Sequence, residues 1–206
     1  AFGYVPEPRT IFKGALKLAP GHKLTLRVGG GPAEPVKYWD VPFKPHAPMA
    51  QAEMEQELVR HLREAVQSQM EADVPLGAFL SGGVDSSAVV AMMAGLTGQP
   101  VNTCSIAFND PAFDESEYAD QVARQYKTRH QRETVDKDDY GLVDILAGLY
   151  DEPYADSSAI PTYRVCELAR KRVTVALSGD GGDENFAGYR RYRMAMGEQR
   201  IRSLLP

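Results

Sequence analysis

Some residue types are scarce in this chain of 206 residues, which contains two cysteines, four histidines and one tryptophan. Cys104 lies in an apolar strand-like run and Cys166 in a helix-like run. This usage is typical of two buried free thiols rather than of a disulfide or a metal site. We therefore expect a protein of a reducing compartment, the cytoplasm.

Long hydrophobic runs and clustered basic residues are also missing. No apolar run approaches the roughly 20 residues that a membrane-spanning helix needs, so we expect no membrane role. The formal net charge is -5 and the lysines and arginines are scattered, which argues against a nucleic-acid surface. With 43% hydrophobic and 25% charged residues, the composition is that of a globular protein.

Several nucleotide-binding and catalytic motifs are absent. The sequence has no G-x-x-x-x-G-K-[ST] loop, and Gly179–Gly182 does not have the G-x-G-x-x-G spacing of dinucleotide-binding folds. There is neither a G-x-S-x-G elbow nor an H-E-x-x-H helix, and the histidines are dispersed. These absences argue against Walker-type phosphotransfer, hydride transfer and the common hydrolase mechanisms.

The most informative motif that is present is Ser-Gly-Gly-Val-Asp-Ser-Ser, residues Ser81–Ser87, between a strand-like run and a helix-like run. Its glycines let the backbone approach an anion, and the following helix directs unpaired N–H groups to the same place. The pattern predicts a pyrophosphate-binding loop in which Asp85 holds the divalent cation of a nucleotide triphosphate. The plainer alternative is a turn that caps a helix.

A second glycine turn occurs in the same setting. The β-branched run Val173–Leu177 ends in Ser-Gly-Asp-Gly-Gly-Asp-Glu, residues Ser178–Glu184. Two buried strands that open into such turns predict one shared site at the carboxyl edge of a parallel sheet. The alternative for the acidic residues is a solvated loop. Phe186 and Tyr189 follow at helical spacing, which indicates packing residues.

Strand-like and helix-like segments alternate from residue 49 onward, which predicts an α/β fold with right-handed crossovers and a parallel sheet. Apolar residues from Met54 to Met70 recur at helical spacing, so the first helix should pack on this sheet. The run Lys23–Val28 alternates like a hairpin strand. The later predicted elements are strand 76–80, helix 86–96, strand 101–108, helix 115–127, strand 132–135, helices 138–149 and 159–171, and strand 174–177.

Four ordered motifs together resemble the synthetase domain of glutamine-dependent asparagine synthetases, which are N-type ATP pyrophosphatases. They are Ser81–Ser87, Asp151–Pro153, Ser157–Ala159 and Ser178–Tyr189. The segments 2–6, 20–22 and 38–40 are similar to the end of the glutaminase domain that precedes it. We therefore expect a fragment of a longer polypeptide: residues 1–48 as the end of a glutaminase domain with a linker, and residues 49–206 as a truncated synthetase domain.

The resemblance implies a three-layer sandwich of the adenine nucleotide α-hydrolase type, preceded by a short β-rich N-terminal segment. It implies a ligase that uses ATP and Mg²⁺ to adenylate the side-chain carboxylate of aspartate. Ammonia from a glutaminase domain would then give asparagine, AMP and pyrophosphate. A homodimer, formed through apolar surface that further domains would cover, is a further expectation.

The same resemblance assigns roles to eleven residues. Asp85 and Asp183 match metal-binding positions, and Asp180 matches a catalytic-site carboxylate that contacts the substrate. Contacts to the phosphates, and to the base and ribose, are implied for Ser81, Gly82, Gly83, Ser86 and Ser87, and for Phe79, Ser178 and Gly179, respectively.

Two alternatives remain open at the level of the sequence. A related amidotransferase or a β-lactam-forming synthetase would adenylate another small carboxylate. An ATP-binding module without turnover would keep the loops but not the chemistry, and neither Cys104 nor Cys166 is placed as a glutaminase nucleophile. One departure from the family pattern is His130-Gln131-Arg132, where two histidines and a glutamate are frequent.

Overall fold

The structure of the chain is a computed structural model that describes residues 3–31, 33–42, 48–109, 114–135 and 139–203. It falls into two compact units, Ala1–Gln51 with Asp139–Ile160, and Ala52–Asp138 with Pro161–Pro206. The segment that ends at Ile160, which the sequence places in the later domain, thus clusters with the first residues of the chain. The domain boundary after residue 48 stays a prediction.

The first unit consists mainly of loops that are joined by polar contacts. Strand β1 (His22–Lys23) pairs antiparallel with β2 (Val36–Lys37). Lys17 Nζ donates to the Val5 carbonyl at 2.7 Å and to Glu152 Oε1 at 2.5 Å. The predicted strand over residues 23–28 is mostly wrong, because only Lys23 is extended and paired; Leu26 is 74% exposed, so no second apolar layer holds that run in a sheet.

The second unit contains a four-stranded parallel sheet, which confirms the predicted α/β fold. Its strands lie in the order β5-β4-β3-β6. They are β3 (Leu76–Phe79), β4 (Asn102–Phe108), β5 (Arg129–Val135) and β6 (Val175–Leu177). The winding therefore reverses between β3 and β6, since β4 and β5 follow on one side of β3 and β6 joins the other.

The helices for which the sequence predicts bounds begin and end close to those positions, with one exception. The predicted helix over 138–149 is a 3₁₀ turn at Tyr140–Leu142 followed by a shorter α-helix, and Asp138 lies outside the described residues. The α-helices are α1 (Gln51–Gln69), α2 (Val84–Leu96), α3 (Ser116–Gln125), α4 (Val143–Leu149), α5 (Ala159–Arg170), α6 (Gly182–Phe186) and α7 (Arg190–Arg202).

Two hydrophobic clusters cover the two faces of the sheet. Successive side chains of a strand point to opposite faces, so Ala78 and Phe79 of β3 belong to different clusters. On the Ala78 face pack side chains of α1, α2 and α3, namely Leu62, Val66, Val89, Val90, Met93, Ala119 and Ala123. On the Phe79 face pack Leu168 and Ala169 of α5. The second unit is thus a three-layer sandwich.

The connecting helices lie on different faces of the sheet, as right-handed crossovers require. The connections from β3 to β4 and from β4 to β5 run in one direction and carry α2 and α3 on one face. The connection back to β6 runs in the opposite direction and carries α5 on the other face. The carboxyl ends of β3 and β6 therefore flank the point where the winding reverses, which is where ligands collect in open α/β sheets.

Some apolar side chains do not contribute to this core. Met54 and Leu58 in the first half of α1 are exposed, so only its second half packs on the sheet as predicted. Cys104 is buried and free, whereas Cys166 is free but exposed, because the buried face of α5 is formed by Leu168 and Ala169. The expectation of two buried thiols is wrong for Cys166.

Within the described part of the chain, no helix combines the length and apolarity that crossing a membrane demands.

Gly77 provides a test of how tightly the sheet is packed. A Cβ at this position would lie 2.7 Å from the Asn102 carbonyl oxygen and 3.1 Å from Val173 Cγ1. We expect Gly77→Ala to lower the free energy of unfolding by about 1–3 kcal/mol in urea denaturation, because β3 is wedged between two strands. Gly98→Ala is the control, since nothing lies within 4 Å of its added Cβ. Equal stability of the two variants would contradict this packing.

Candidate functional site

A cleft of about 960 Å³ opens at the carboxyl ends of β3, β4 and β6. Both glycine turns line it, as the sequence predicts for a shared site. The predicted site residues in its lining are Phe79, Ser81, Gly83, Asp85, Ser86, Ser178, Gly179, Asp180 and Asp183. Gly82 and Ser87 belong to the first turn but do not line the cleft. The structure thus brings together residues that are about a hundred positions apart in the sequence.

Hydroxyl groups hold the first turn closed. Ser86 Oγ accepts from the Ser81 backbone N–H at 3.2 Å and lies 2.9 Å from Ser81 Oγ. The same hydroxyl contacts the Gly83 carbonyl oxygen at 3.2 Å, and the Gly83 N–H donates to Ser81 Oγ at 3.3 Å. Ser81 and Ser86 therefore fix the shape of the loop through contacts within it.

Helix α2 starts in the cleft without a capping side chain. Its N-cap residue is Gly83, which has no side chain to accept a hydrogen bond, and the first helical bond runs from the Ser87 N–H to the Gly83 carbonyl at 3.1 Å. The preceding N–H groups of the first turn have no partner within the helix, and they form its positive end. Ser87 Oγ is buried without a hydrogen-bond partner among the described residues. This helix start is suited to an anion.

Gly82 has a packing role rather than a lining role. Its φ is +86°, a left-handed conformation that favours glycine. A Cβ would lie 2.7 Å from the Ala119 backbone nitrogen and from Tyr118 Cβ. Helix α3 therefore touches the first glycine turn directly.

The glycines of the second turn make room for the first one. A Cβ at Gly179 would lie 2.6 Å from the Ser86 backbone nitrogen and 2.9 Å from the Asp85 carbonyl carbon. A Cβ at Gly182 would overlap the Asp85 carboxylate. Asp183 follows directly, and its carboxylate lies against Gly188 in the same way. The start of α2 and the second turn are thus in backbone contact, which no larger residue would permit.

Carboxylates dominate the polar lining of the cleft. Asp180 accepts a hydrogen bond from Ser178 Oγ at 3.0 Å, and Glu184 accepts one from the Tyr189 hydroxyl at 2.5 Å. The acidic residues of the lining are Asp85, Glu115, Asp180, Asp183 and Glu184, and no lysine, arginine or histidine of the described residues lines it. An anionic ligand here therefore depends on backbone N–H groups and on a cation that binds with it.

Apolar residues on two other elements complete the cleft, and sequence reasoning missed them. Ile106 and Phe108 come from β4, and Val165 comes from α5. Their position in the sequence could have indicated this role, because Ile106 and Phe108 are alternate residues at the carboxyl end of a strand beside β3. Phe186 also lines the cleft and is 58% exposed, so the packing role that its helical spacing suggests is wrong.

Comparison with known proteins identifies the family. The Asparagine synthase family model matches residues 57–206. The chain belongs to the asparagine synthase family. The resemblance drawn from the four sequence motifs is thereby confirmed.

The relatives within this family are considerably longer than the chain. It is 41% identical to a putative glutamine-hydrolyzing asparagine synthetase 2 of Methanocaldococcus jannaschii, over 92% of the chain and 37% of that protein. It is 36% identical to the glutamine-hydrolyzing asparagine synthetase 1 of Bacillus subtilis, over 94% of the chain and 30% of that protein. The amidase chyE of Penicillium rubens is 30% identical over 91% of the chain. The chain spans about a third of the length of these relatives.

The Tyr189–Glu184 pair of this asparagine synthase family member predicts a measurable titration. The hydrogen bond to Glu184 raises the pKa of Tyr189 to about 12. We expect Glu184→Gln to return that pKa toward its usual value of about 10, because a neutral amide no longer favours the protonated phenol. Ultraviolet titration of tyrosinate follows the change, and Tyr189→Phe assigns the step. Glu198→Gln on α7 is the control, since Glu198 pairs with Arg202. A high-pH step that persists in Glu184→Gln would contradict the assignment.

Proposed function

We propose that the chain is the nucleotide-binding part of an ATP-dependent ligase that adenylates the side-chain carboxylate of aspartate and passes it to ammonia. The products are asparagine, AMP and pyrophosphate. The observation that supports this proposal is the contact between the uncapped start of α2 and the second glycine turn, in one cleft lined by carboxylates. A polyphosphate with a divalent cation fits that combination of N–H groups and acids.

In this proposal the nucleotide lies along the winding reversal of the sheet. The N–H groups of the first turn of α2, held in place by Ser81 and Ser86, bind the β- and γ-phosphates together with Gly83. Gly82 and Ser87, which do not line the cleft, support the shape of the same turn. Phe79, Ile106 and Val165 give the adenine an apolar wall. Ser178 and Gly179, which line the same cleft, contact the ribose.

Asp85 and Asp183 would hold Mg²⁺ in the proposed site. Within the described residues no group of three or more acidic, histidine or cysteine side chains forms a metal site, so oxygens of the polyphosphate complete the coordination. When bound, Mg²⁺ neutralises charge on the phosphates as pyrophosphate leaves. The protein contributes mainly by positioning the reactants.

The acyl substrate is proposed to bind beside Asp180. Its carboxylate oxygen attacks the α-phosphorus, the bond to pyrophosphate breaks, and an acyl-adenylate forms. Ammonia then attacks the acyl carbon and AMP leaves. Asp180, whose carboxylate is fixed by Ser178 Oγ at 3.0 Å, attracts the positively charged amino group of aspartate. We propose that the ammonia comes from a glutaminase domain, and that the enzyme acts in the cytoplasm as a homodimer.

Calorimetric titration with ATP and Mg²⁺ tests the nucleotide site. We expect saturable binding that requires the metal, and at least about a tenfold loss of affinity in Asp85→Asn and in Asp183→Asn, because each variant removes a ligand charge. Asp73→Asn is the matched control, since this exposed carboxylate lies outside the cleft lining. Metal-independent binding, or equal affinity in all three variants, would contradict the proposed roles.

Release of pyrophosphate distinguishes the possible substrates. We expect the protein with its full complement of domains to release pyrophosphate from ATP in response to aspartate and to be inactive after chelation of Mg²⁺. Other small amino-acid carboxylates serve as competitors. Stimulation by one of these instead of aspartate would replace the proposed substrate, while binding without any release would favour a nucleotide-binding module.

A further inference from the structure

The position of the first glycine turn depends on the first turn of α3. Gly82 is packed so closely that an added Cβ would lie 2.7 Å from the Ala119 nitrogen and 3.0 Å from the Glu115 carbonyl oxygen. Both atoms belong to the backbone, so they cannot rotate away as a side chain would. A shift of the start of α3 therefore shifts Gly82 or opens a gap beside it.

A polar network outside the cleft holds this end of α3. The N-cap residue Glu115 makes no side-chain capping bond. Instead, the buried Ser116 donates from its N–H to Asp114 Oδ1 and from its hydroxyl to Asp114 Oδ2, each at 3.1 Å. Arg132 Nη1 lies 2.7 Å from Asp120 Oδ2 and 3.4 Å from Ser116 Oγ. One guanidinium thus contacts the first and the second turn of the helix.

Arg132 is itself fixed at the sheet. It lies on β5 opposite Ser105 of β4. Two residues earlier, His130 lies between two hydroxyls of β4, with Thr103 Oγ1 at 2.9 Å and Ser105 Oγ at 3.2 Å. The guanidinium therefore connects α3 to β5, which pairs with β4, and β4 in turn pairs with β3, which leads into the first glycine turn.

We propose that Arg132 is a positioning residue for the first glycine turn and that it acts through α3 on Gly82. The effect of Arg132 on ATP affinity rests on the proposed nucleotide site, whereas its effect on the structure of the turn does not. Arg132 is absent from the cleft lining, so its effect on a bound nucleotide passes through the packing of α3. The ion pair is partly exposed, with side-chain exposures of 43% and 29% for Arg132 and Asp120. It therefore contributes more to the placement of α3 than to the free energy of unfolding.

The test compares Arg132→Gln with the parent by two measurements. We expect hydrogen exchange at the amides of residues 81–87 to become faster in the absence of nucleotide, because the loop loses its support. We expect the dissociation constant for ATP with Mg²⁺ to rise about three- to tenfold. Arg132→Lys keeps a cation near Asp120 and should restore much of both properties.

Lys171→Gln is the matched control. It removes a comparably exposed ion pair to another residue of β5, Lys171 Nζ to Glu133 Oε2 at 2.9 Å, and this pair does not involve α3. We expect it to leave loop exchange and affinity unchanged. Unchanged exchange in Arg132→Gln, or equal effects of the two variants, would overturn the proposal. Failure of the parent to bind ATP would instead contradict the proposed function, and the exchange comparison would still decide the role of Arg132.

If Arg132→Gln does not fold, Asp120→Asn gives the same test by removing the charge that pairs with Arg132. It should accelerate exchange at residues 81–87 relative to Lys171→Gln. Equal exchange in these two variants would likewise overturn the proposal.

Discussion

The contact between Gly179 and the Asp85–Ser86 peptide is the constraint on which the rest of the site depends. At this point two backbones approach so closely that a single methyl group would lie 2.6 Å from a backbone nitrogen. The approach places the carboxylate of Asp85 over Gly182 and brings the acidic second turn beside the uncapped start of α2. Fold topology makes it possible, because β3 and β6 are neighbours at the reversal of the winding.

The sequence predicts much of the parallel sheet, because two of its strands, β3 and β6, are short apolar runs that open into glycine turns. It also predicts that the two turns share one edge, since parallel strands align their carboxyl ends. The packing partners of the glycines are beyond such reasoning. The resemblance implies that Gly82 contacts the phosphates and Gly179 the base and ribose, yet Gly82 packs against α3 and Gly179 against α2. Those contacts depend on how closely the helices approach the turns in three dimensions, and the sequence does not reveal that approach.

Residue spacing also gives wrong predictions of burial where the packing partner of an apolar side chain is distant in the sequence. Phe186 is the exposed last residue of the short helix α6, and the C-cap residue Ala187 has a φ of +55°, so the helical spacing does not continue to Tyr189. Cys166 lies in a helix whose buried face is two residues further on. In the N-terminal unit, alternation over Lys23–Val28 leads to an exposed loop, because an isolated two-stranded hairpin buries too little apolar surface to extend.

The acidic lining explains why positive charge must arrive with the ligands. A cleft with five carboxylates and no basic side chain among its described lining residues repels a free polyphosphate. Backbone N–H groups offset part of that repulsion at the start of α2, and a divalent cation lowers the net charge of the phosphates and is itself attracted by the carboxylates. A substrate with an amino group benefits from the same acids, whereas a purely anionic substrate does not. The charge pattern therefore favours an amino acid over a simple carboxylate as the partner of the nucleotide, which agrees with the adenylation of aspartate proposed for this chain.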